Sequence, residues 1–190
     1  MRLVFCGVGA VGSTAVLLCR NLSASLRLVD FDRVESKNLL AQGFVKQSVG
    51  KNKAEALRLQ LSNFYGVKVE SRGVRLGADN VDSLCGDADL LVDCFDNFAS
   101  RVTLSQYARR TERPLVHAAL SGDGTFGMVR WDERFAPDRE DAEGQATCEG
   151  GEHLPIIGLL SATLARAIQD FVIKQSRHDY MVALSGVTRP

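Results

Sequence analysis

Neither sign of charge predominates in this chain: 23 lysines and arginines stand against 23 aspartates and glutamates. Without a basic excess no general polyanion-binding surface is advertised, which argues against nucleic acid as the main partner. Nor is there a Cys-x-x-Cys pair. The five cysteines, Cys6, Cys19, Cys85, Cys94 and Cys148, are odd in number and scattered. That spacing argues against a structural zinc and against a disulfide framework, and it implies a reducing, cytoplasmic compartment. The longest uncharged stretch near the end, Leu154 to Ala165, is too short to span a bilayer, so no membrane is expected. Met1 runs straight into an apolar segment, leaving no room for a signal peptide. No internal repeat is present.

What the chain does have is an alternation of strand and helix patterns. Its 190 residues are 45% hydrophobic, enough for one compact domain over 1–190 with a full core. Buried strands are expected at Arg2-Leu3-Val4-Phe5-Cys6, Leu26 to Asp30, Ala88 to Cys94 and Pro114 to Ala118, with an alternating strand at Val67 to Ser71. Helices are expected over Ser13 to Asn21, Ala54 to Phe64 and Ser100 to Arg110, with a short turn at Val81 to Leu84. Thr125 to Trp131 follows Gly-Asp-Gly and suits an added antiparallel strand. The fold class is therefore α/β: a Rossmann-like, mostly parallel sheet with helices on both faces and a late antiparallel strand. The stretch from Asp132 to Glu152 interrupts the pattern with 21 residues, ten of them charged, as a polar crossover loop through 153. A long helix over 154–175 follows, apolar almost all round in its first half, so it must be buried by the core or by a second subunit.

Two motifs carry chemistry. Gly7-Val8-Gly9-Ala10-Val11-Gly12 sits between the first strand and its helix, where glycines let backbone approach a phosphate or ribose at a helix N-terminus. A tight strand-to-helix turn without ligand needs the same glycines. Asp30 lies 18 residues beyond Gly12, at the end of the second strand, placed to accept ribose hydroxyls. A dinucleotide site needs one acidic residue there. This chain continues with Asp32, Asn38, Gln42 and Lys53, a set suited to a nucleotide with a long, metal-bearing phosphate tail, ATP rather than NAD.

Lined up in order, these pieces resemble the ThiF/MoeB/HesA superfamily, bacterial relatives of the ubiquitin-activating enzymes, from Arg2 to about Gln175. The family pattern has a glycine turn, Asp-x-Asp-x-Val-x-x-x-Asn-Leu-x-Arg-Gln, a lysine at a helix start, a strand ending in Asp-Asn, an arginine four residues on, and a crossover-loop cysteine. Here these are Gly7, Gly9 and Gly12; Asp30-Phe31-Asp32-Arg33-Val34 with Asn38-Leu39 and Gln42; Lys53; Asp96-Asn97; Arg101; and Cys148. The resemblance implies ATP-dependent adenylation of the C-terminal carboxylate of a small ubiquitin-like or sulfur-carrier protein, in a homodimer.

On the same resemblance, Asp96 holds Mg²⁺ against the phosphates, or caps the helix that follows. Lys53 neutralises the phosphate tail, or is a solvated helix lysine. Asp30 binds ribose, and Asp32 positions Mg²⁺ or is an exposed loop carboxylate. Asn38 and Gln42 contact phosphate or cap the local turn, Asn97 joins the nucleotide site, and Arg101 pairs with a strand-end carboxylate. Cys148 captures the activated carrier as a thioester, or is a surface cysteine; Glu149 and Glu152 beside it tend to raise its thiol pKa. His117 is expected in the core and His178 on the surface. Cys6 and Cys94 are expected as packing residues.

Two departures follow. The family arginine of Asn-Leu-x-Arg-Gln is Ala41 here, and the family's preceding helix, with the arginine it sends to a partner, is not in the sequence. Losing cations from a triphosphate site weakens binding or turnover, so an ATP-binding or catalytically weakened partner subunit is the alternative to the enzyme. A relative acting on a small molecule or tRNA base is another, and an NAD-dependent oxidoreductase is supported only by the glycine turn and Asp30.

Overall fold

The computed structural model describes residues 1–136 and 152–190. Five strands run parallel: β1 (Arg2–Cys6), β2 (Ser25–Val29), β3 (Val69–Arg72), β4 (Leu90–Asp93) and β5 (Leu115–Leu120). Three more, β6 (Phe126–Trp131), β7 (Tyr180–Ala183) and β8 (Gly186–Thr188), extend the sheet antiparallel. The spatial order is β3-β2-β1-β4-β5-β6-β7-β8. One late antiparallel strand was expected, and among the described residues three are present: β7 is the apolar run Tyr180-Met181-Val182-Ala183, with Tyr180 and Val182 buried, which the sequence reading passed over, and β8 is only three exposed residues.

Strand residues alternate between two cores, as the period of two requires. Leu3 and Phe5 join Leu26, Leu28, Leu90 and Val92 on one face, beneath α1 (Ala10–Cys19), α2 (Lys53–Tyr65) and α5 (Leu154–Lys174). Val4 and Cys6 join Val29, Leu91 and Leu115 on the other, beneath α3 (Val81–Cys85) and α4 (Phe98–Arg110). Four of the parallel strands, β1, β2, β4 and β5, thus bury residues on both faces, which explains their largely apolar sequences, while β3 at the sheet edge is half-buried and reads as an alternation.

The helices start earlier than periodicity suggests. Helix α1 begins at Ala10, directly after Gly9, and α4 begins at Phe98 behind the cap Asn97. Helix α5 crosses the sheet beside α1, where the Ser161 hydroxyl donates to the Val11 carbonyl at 3.1 Å. Its 21 residues, with a mean hydropathy of 1.6 at best, are long and apolar enough to cross a membrane, contrary to the count over Leu154 to Ala165 alone. Ile157, Leu160, Leu164, Ile168 and Phe171 are instead buried within the fold. Part of the expected crossover loop is also ordered: Asp132–Arg134 forms a short 3₁₀ helix with Asp132 buried.

Candidate nucleotide site

In the order β3-β2-β1-β4-β5, the strand order reverses between β1 and β4, the switch point at which sheets of this kind bind ligands in the crevice outside the carboxyl ends of the strands. The three motif glycines meet that crevice for different reasons. Gly7 adopts φ +87°, and a Cβ on it would sit 2.8 Å from the Cys94 carbonyl carbon, so the turn is pressed against the end of β4. A Cβ at Gly12 would lie 2.2 Å from the Gly7 carbonyl oxygen, so this glycine lets the helix close onto the strand. A Cβ at Gly9 would meet nothing within 4 Å. Gly9 is the N-cap of α1, without a side-chain cap, and so presents open backbone at a helix N-terminus, the geometry that favours phosphate.

The end of β2 forms one wall. Asp30 is 7% exposed; its Oδ2 accepts from the Val8 N–H at 2.8 Å and its Oδ1 from the Asp32 N–H at 2.9 Å. The first bond ties Asp30 directly to the glycine turn. Burial raises the Asp30 pKa above its ordinary value, against the opposing pull of the two backbone N–H groups and Lys53. Lys53, the first residue of α2, is buried along its stem and puts its Nζ 3.2 Å from Asp32 Oδ2. It is therefore not a solvated helix lysine, and Asp32 is half-exposed beside it rather than isolated. Asn52, which sequence reasoning passed over, holds this wall together. Its Oδ1 accepts from the Glu55 N–H, and its Nδ2 donates to the carbonyls of Asp30 and Asp32. The signal was available, since Asn before a helical run is a capping pattern.

Asn38 is buried, and its Oδ1 accepts from the Glu35 N–H at 2.8 Å in a reciprocal cap on the 3₁₀ helix Ser36–Leu40. Its amide oxygen is thus committed to local structure. Gln42 bonds through its backbone N–H to the Asn38 carbonyl, while its Oε1 is buried without a hydrogen-bond partner among the described residues. Ala41 between them is 2% exposed and packs in an apolar cluster with Ala10 and Ile157, against Leu120. The position of the family arginine is therefore a sealed apolar contact.

The end of β4 forms the other wall. Asn97 caps α4, accepting from the Ser100 N–H at 3.0 Å, so the capping role open to Asp96 is taken by its neighbour. Asp96 is left exposed, with no hydrogen bond or ion pair to its carboxylate among the described residues. Behind it, Asp93 is fully buried and makes the expected contact with Arg101, Oδ2 to Nη1 at 3.7 Å.

His117 is indeed internal, but it is no apolar packing residue. Its Nδ1 lies 2.7 Å from Asp93 Oδ2 and its Nε2 2.9 Å from Asp132 Oδ1, with the Phe135 ring stacked at 3.8 Å. Ser105 and Arg109 donate to the same Asp132. With a carboxylate on each ring nitrogen, both nitrogens must donate, which is the charged imidazolium. Burial alone would lower the His117 pKa; the hydrogen bonds to Asp132 and Asp93 outweigh it and raise the value. Sequence reasoning missed this network because its members come from two strands, a helix and the expected loop.

The remaining candidates divide simply. Cys6 is buried, and its hydrogen bond with Cys85, together with burial, pushes its thiol pKa well up. Burial and Asp93 do the same to Cys94. Cys6 packs inside one core and Cys94 lies partly buried against the other, as expected, and the four described cysteines are free. Cys148, with Glu149, lies outside the described residues. His153 packs over the β5–β6 turn, where a Cβ on Gly124 would strike its ring, and His178 is half-buried. Among the described residues no cluster of three or more potential metal ligands exists.

Known proteins resemble the chain in sequence and in fold. The chain is 30% identical over 174 residues to the adenylyltransferase and sulfurtransferase UBA4 of Meyerozyma guilliermondii, covering 87% of this chain and 38% of that protein. It is 32% identical over 134 residues to the sulfur carrier protein ThiS adenylyltransferase of Bacillus subtilis, covering 67% of this chain and 39% of that one. It thus spans well under half the length of these curated relatives. The crystal structure of E. coli MccB with ATP superposes with a TM-score of 0.78 at 18% identity, covering 100% of this chain and 63% of that one, a likeness of fold. The ThiF family model matches residues 1–179, and the chain belongs to the ThiF family.

Proposed function

We propose that the chain is an ATP-dependent adenylyltransferase acting on the C-terminal carboxylate of a small ubiquitin-like or sulfur-carrier protein. The observation that carries this reading is the open backbone at Gly9, flanked on one side by Asp30 and Lys53 and on the other by an unengaged Asp96. In this reading a carboxylate oxygen of the carrier attacks the α-phosphorus, pyrophosphate leaves, and an acyl-adenylate remains. Two anions must be brought together, so catalysis rests on alignment and charge neutralisation. Asp30 takes the ribose, Gly9 and the start of α1 take phosphate oxygens, and Lys53 shares its charge between Asp32 and the phosphate tail.

Mg²⁺ fits the residues present as an ion held by few protein ligands. Asp96 supplies one exposed carboxylate, and the nucleotide's phosphates and water complete the shell, as is usual for this ion. The ion would supply charge neutralisation at the phosphates.

The described residues form one sheet with cores on both faces, which supports a single adenylation domain. Exposed Leu18, Leu154 and Ile173 on α1 and α5 support a homodimer, and the free cysteines support a reducing cytoplasm. The thioester on Cys148 rests on the family pattern alone; a Cys148→Ala variant that still traps carrier as a thiol ester rules it out.

The test is a calorimetric titration of Mg-ATP into wild-type protein and Asp96→Ala, followed by carrier-dependent release of pyrophosphate. Binding that depends on Asp96 is expected; wild type that binds no Mg-ATP overturns the reading. The second reading, a catalytically weakened partner subunit, is favoured by one observation, the apolar burial of Ala41. Binding of Mg-ATP without pyrophosphate release from any carrier would select it.

A further inference from the structure

At the end of the antiparallel extension where β6 stops and β7 begins, a cavity of about 500 Å³ is lined by Arg130, Arg134, Arg177, His178, Asp179 and Arg189, with Pro190 at its edge. That volume is within the range of small-molecule sites. The glycine turn lies three strands away, at the carboxyl ends of the parallel strands, so this cavity is no part of the nucleotide site.

The four guanidinium groups are not equally neutralised. Arg134 pairs with Asp179 Oδ2, and Arg177 with Glu133. Asp179 is shared, since its Oδ1 also accepts from the Trp131 N–H at 3.0 Å. Arg130 and Arg189 have no carboxylate partner among the described residues. Among the described residues Arg130 reaches the Arg134 carbonyl alone, at a long 3.5 Å, and its buried Nε has no hydrogen-bond partner there. Arg189 donates to the Tyr180 hydroxyl at 3.3 Å and lies over that ring. Arg177 is held over Trp131 and Phe171, at 5.2 and 5.6 Å from their ring centres.

A buried guanidinium nitrogen without an acceptor is costly, and positive charge held on ring faces around a concavity is prearranged for an oxyanion. We infer that this cavity is a second anion site that takes a compact polyphosphate group, of the di- or triphosphate class, on Arg130 and Arg189 with Arg177 at its rim. A single carboxylate offers one charge on one centre. A phosphate chain offers acceptor oxygens on successive centres, which suits guanidinium groups contributed by β6, the α5–β7 connection and the segment after β8. The source is either free inorganic polyphosphate or the tail of a nucleotide.

The chain reports on the site itself. Trp131 is its only tryptophan and lies beneath Arg177, so ligand on these arginines alters its emission. The experiment titrates inorganic triphosphate, and separately ATP, without divalent cation at low ionic strength. It follows Trp131 fluorescence and heat in wild type, in Arg130→Gln/Arg189→Gln and in Lys53→Ala/Asp96→Ala. Triphosphate is expected to bind wild type and the Lys53/Asp96 variant alike, and about tenfold or more weakly to the double arginine variant. If ATP alone binds in an arginine-dependent way, the nucleotide is the source and the site stands. Binding of neither ligand, or binding lost with Lys53 and Asp96 but kept without the two arginines, overturns the inference. Far-UV circular dichroism checks the fold of the double variant; should it fail, the exposed Arg189→Gln change alone carries the same comparison.

Discussion

Asp93 and Asp96 are three residues apart at the end of one strand, and the protein treats them oppositely. Asp93 is fully buried, accepts from the Phe95 N–H at 3.0 Å, touches His117 and faces Arg101. Asp96 is exposed, and none of the described residues engages its carboxylate. The two carboxylates at the end of β4 thus separate structure from chemistry. A carboxylate whose acceptor capacity is spent on the protein fixes the loop, while one whose capacity is unspent is free for a ligand.

The largest effect expected from breaking this comparison comes from the buried side. His117→Ala leaves Asp93 and Asp132 facing each other's charge across the vacated space without their shared imidazolium. Removing one member of such a buried network costs about 3–5 kcal/mol. For a chain of this size that is a fall in Tm of roughly 6–20 °C, read by calorimetry or circular dichroism. Unchanged melting would mean the network contributes nothing to stability.

The same network predicts a pH profile. Because the His117 pKa is raised by its hydrogen bonds against burial, its contribution is complete below the ordinary value of 6.5 and is lost as pH climbs through the raised one. Asp132 behaves in the reverse sense. Burial would raise its pKa, but His117, Arg109 and Ser105 hold it down to about 2, so its contribution is complete above 3.8 and is lost as pH falls towards 2. Asp93 is lowered in the same sense by Arg101 and His117 against burial. Stability from the network is therefore expected to be flat between those ordinary values and to fall on both sides. A His117→Gln protein should lose the alkaline limb; if it keeps the wild-type profile, another group is responsible.

On the open side, Asp96→Ala should leave the Tm unchanged and weaken Mg-ATP. A contact to a charged group is worth about 1.5–3 kcal/mol, roughly 10- to 150-fold in Kd. Ala41→Arg sharpens the contrast from the other direction. Family pattern alone would forecast tighter ATP. The burial of Ala41 against Ala10 and Ile157 forecasts overpacking that costs about 1–3 kcal/mol. A melt showing no loss of stability would mean that this apolar wall yields easily and that the missing arginine can be restored.

How much of this was legible in the sequence follows from the range of each signal. β1, β2, β4 and β5 declared themselves because they bury apolar residues on both faces, β3 showed only as an alternation at the sheet edge, and the order of motifs identified the family. Gly7, Gly9 and Gly12 could be located but not sorted, since only neighbouring backbone shows which glycine is squeezed and which is open. Lys53 and Asp32 were named separately and are found 3.2 Å apart. His117, Asp132 and Ser105 gave no signal, because a buried polar network is assembled from distant positions whose types are individually ordinary. The apolar run Tyr180–Ala183 of β7 was legible and passed over, whereas β8 is three exposed residues with no such run.

The smallest effect expected belongs to Asn97, and it tests the comparison most closely because Asn97 adjoins Asp96 in the chain. The family pattern puts both in the nucleotide site, yet the Asn97 amide oxygen already accepts from the Ser100 N–H. Truncation to alanine removes an N-cap, which costs about 1 kcal/mol of stability. It should therefore lower the Tm by roughly 2–4 °C while leaving the affinity for Mg-ATP near that of wild type. Asp96→Ala should do the reverse. If Asn97→Ala instead loses nucleotide affinity as steeply as Asp96→Ala, then capping and binding are not separable at this strand end. The loop that α4 anchors would then be part of the site, and the division drawn between Asp93 and Asp96 would have to move one residue further along the chain.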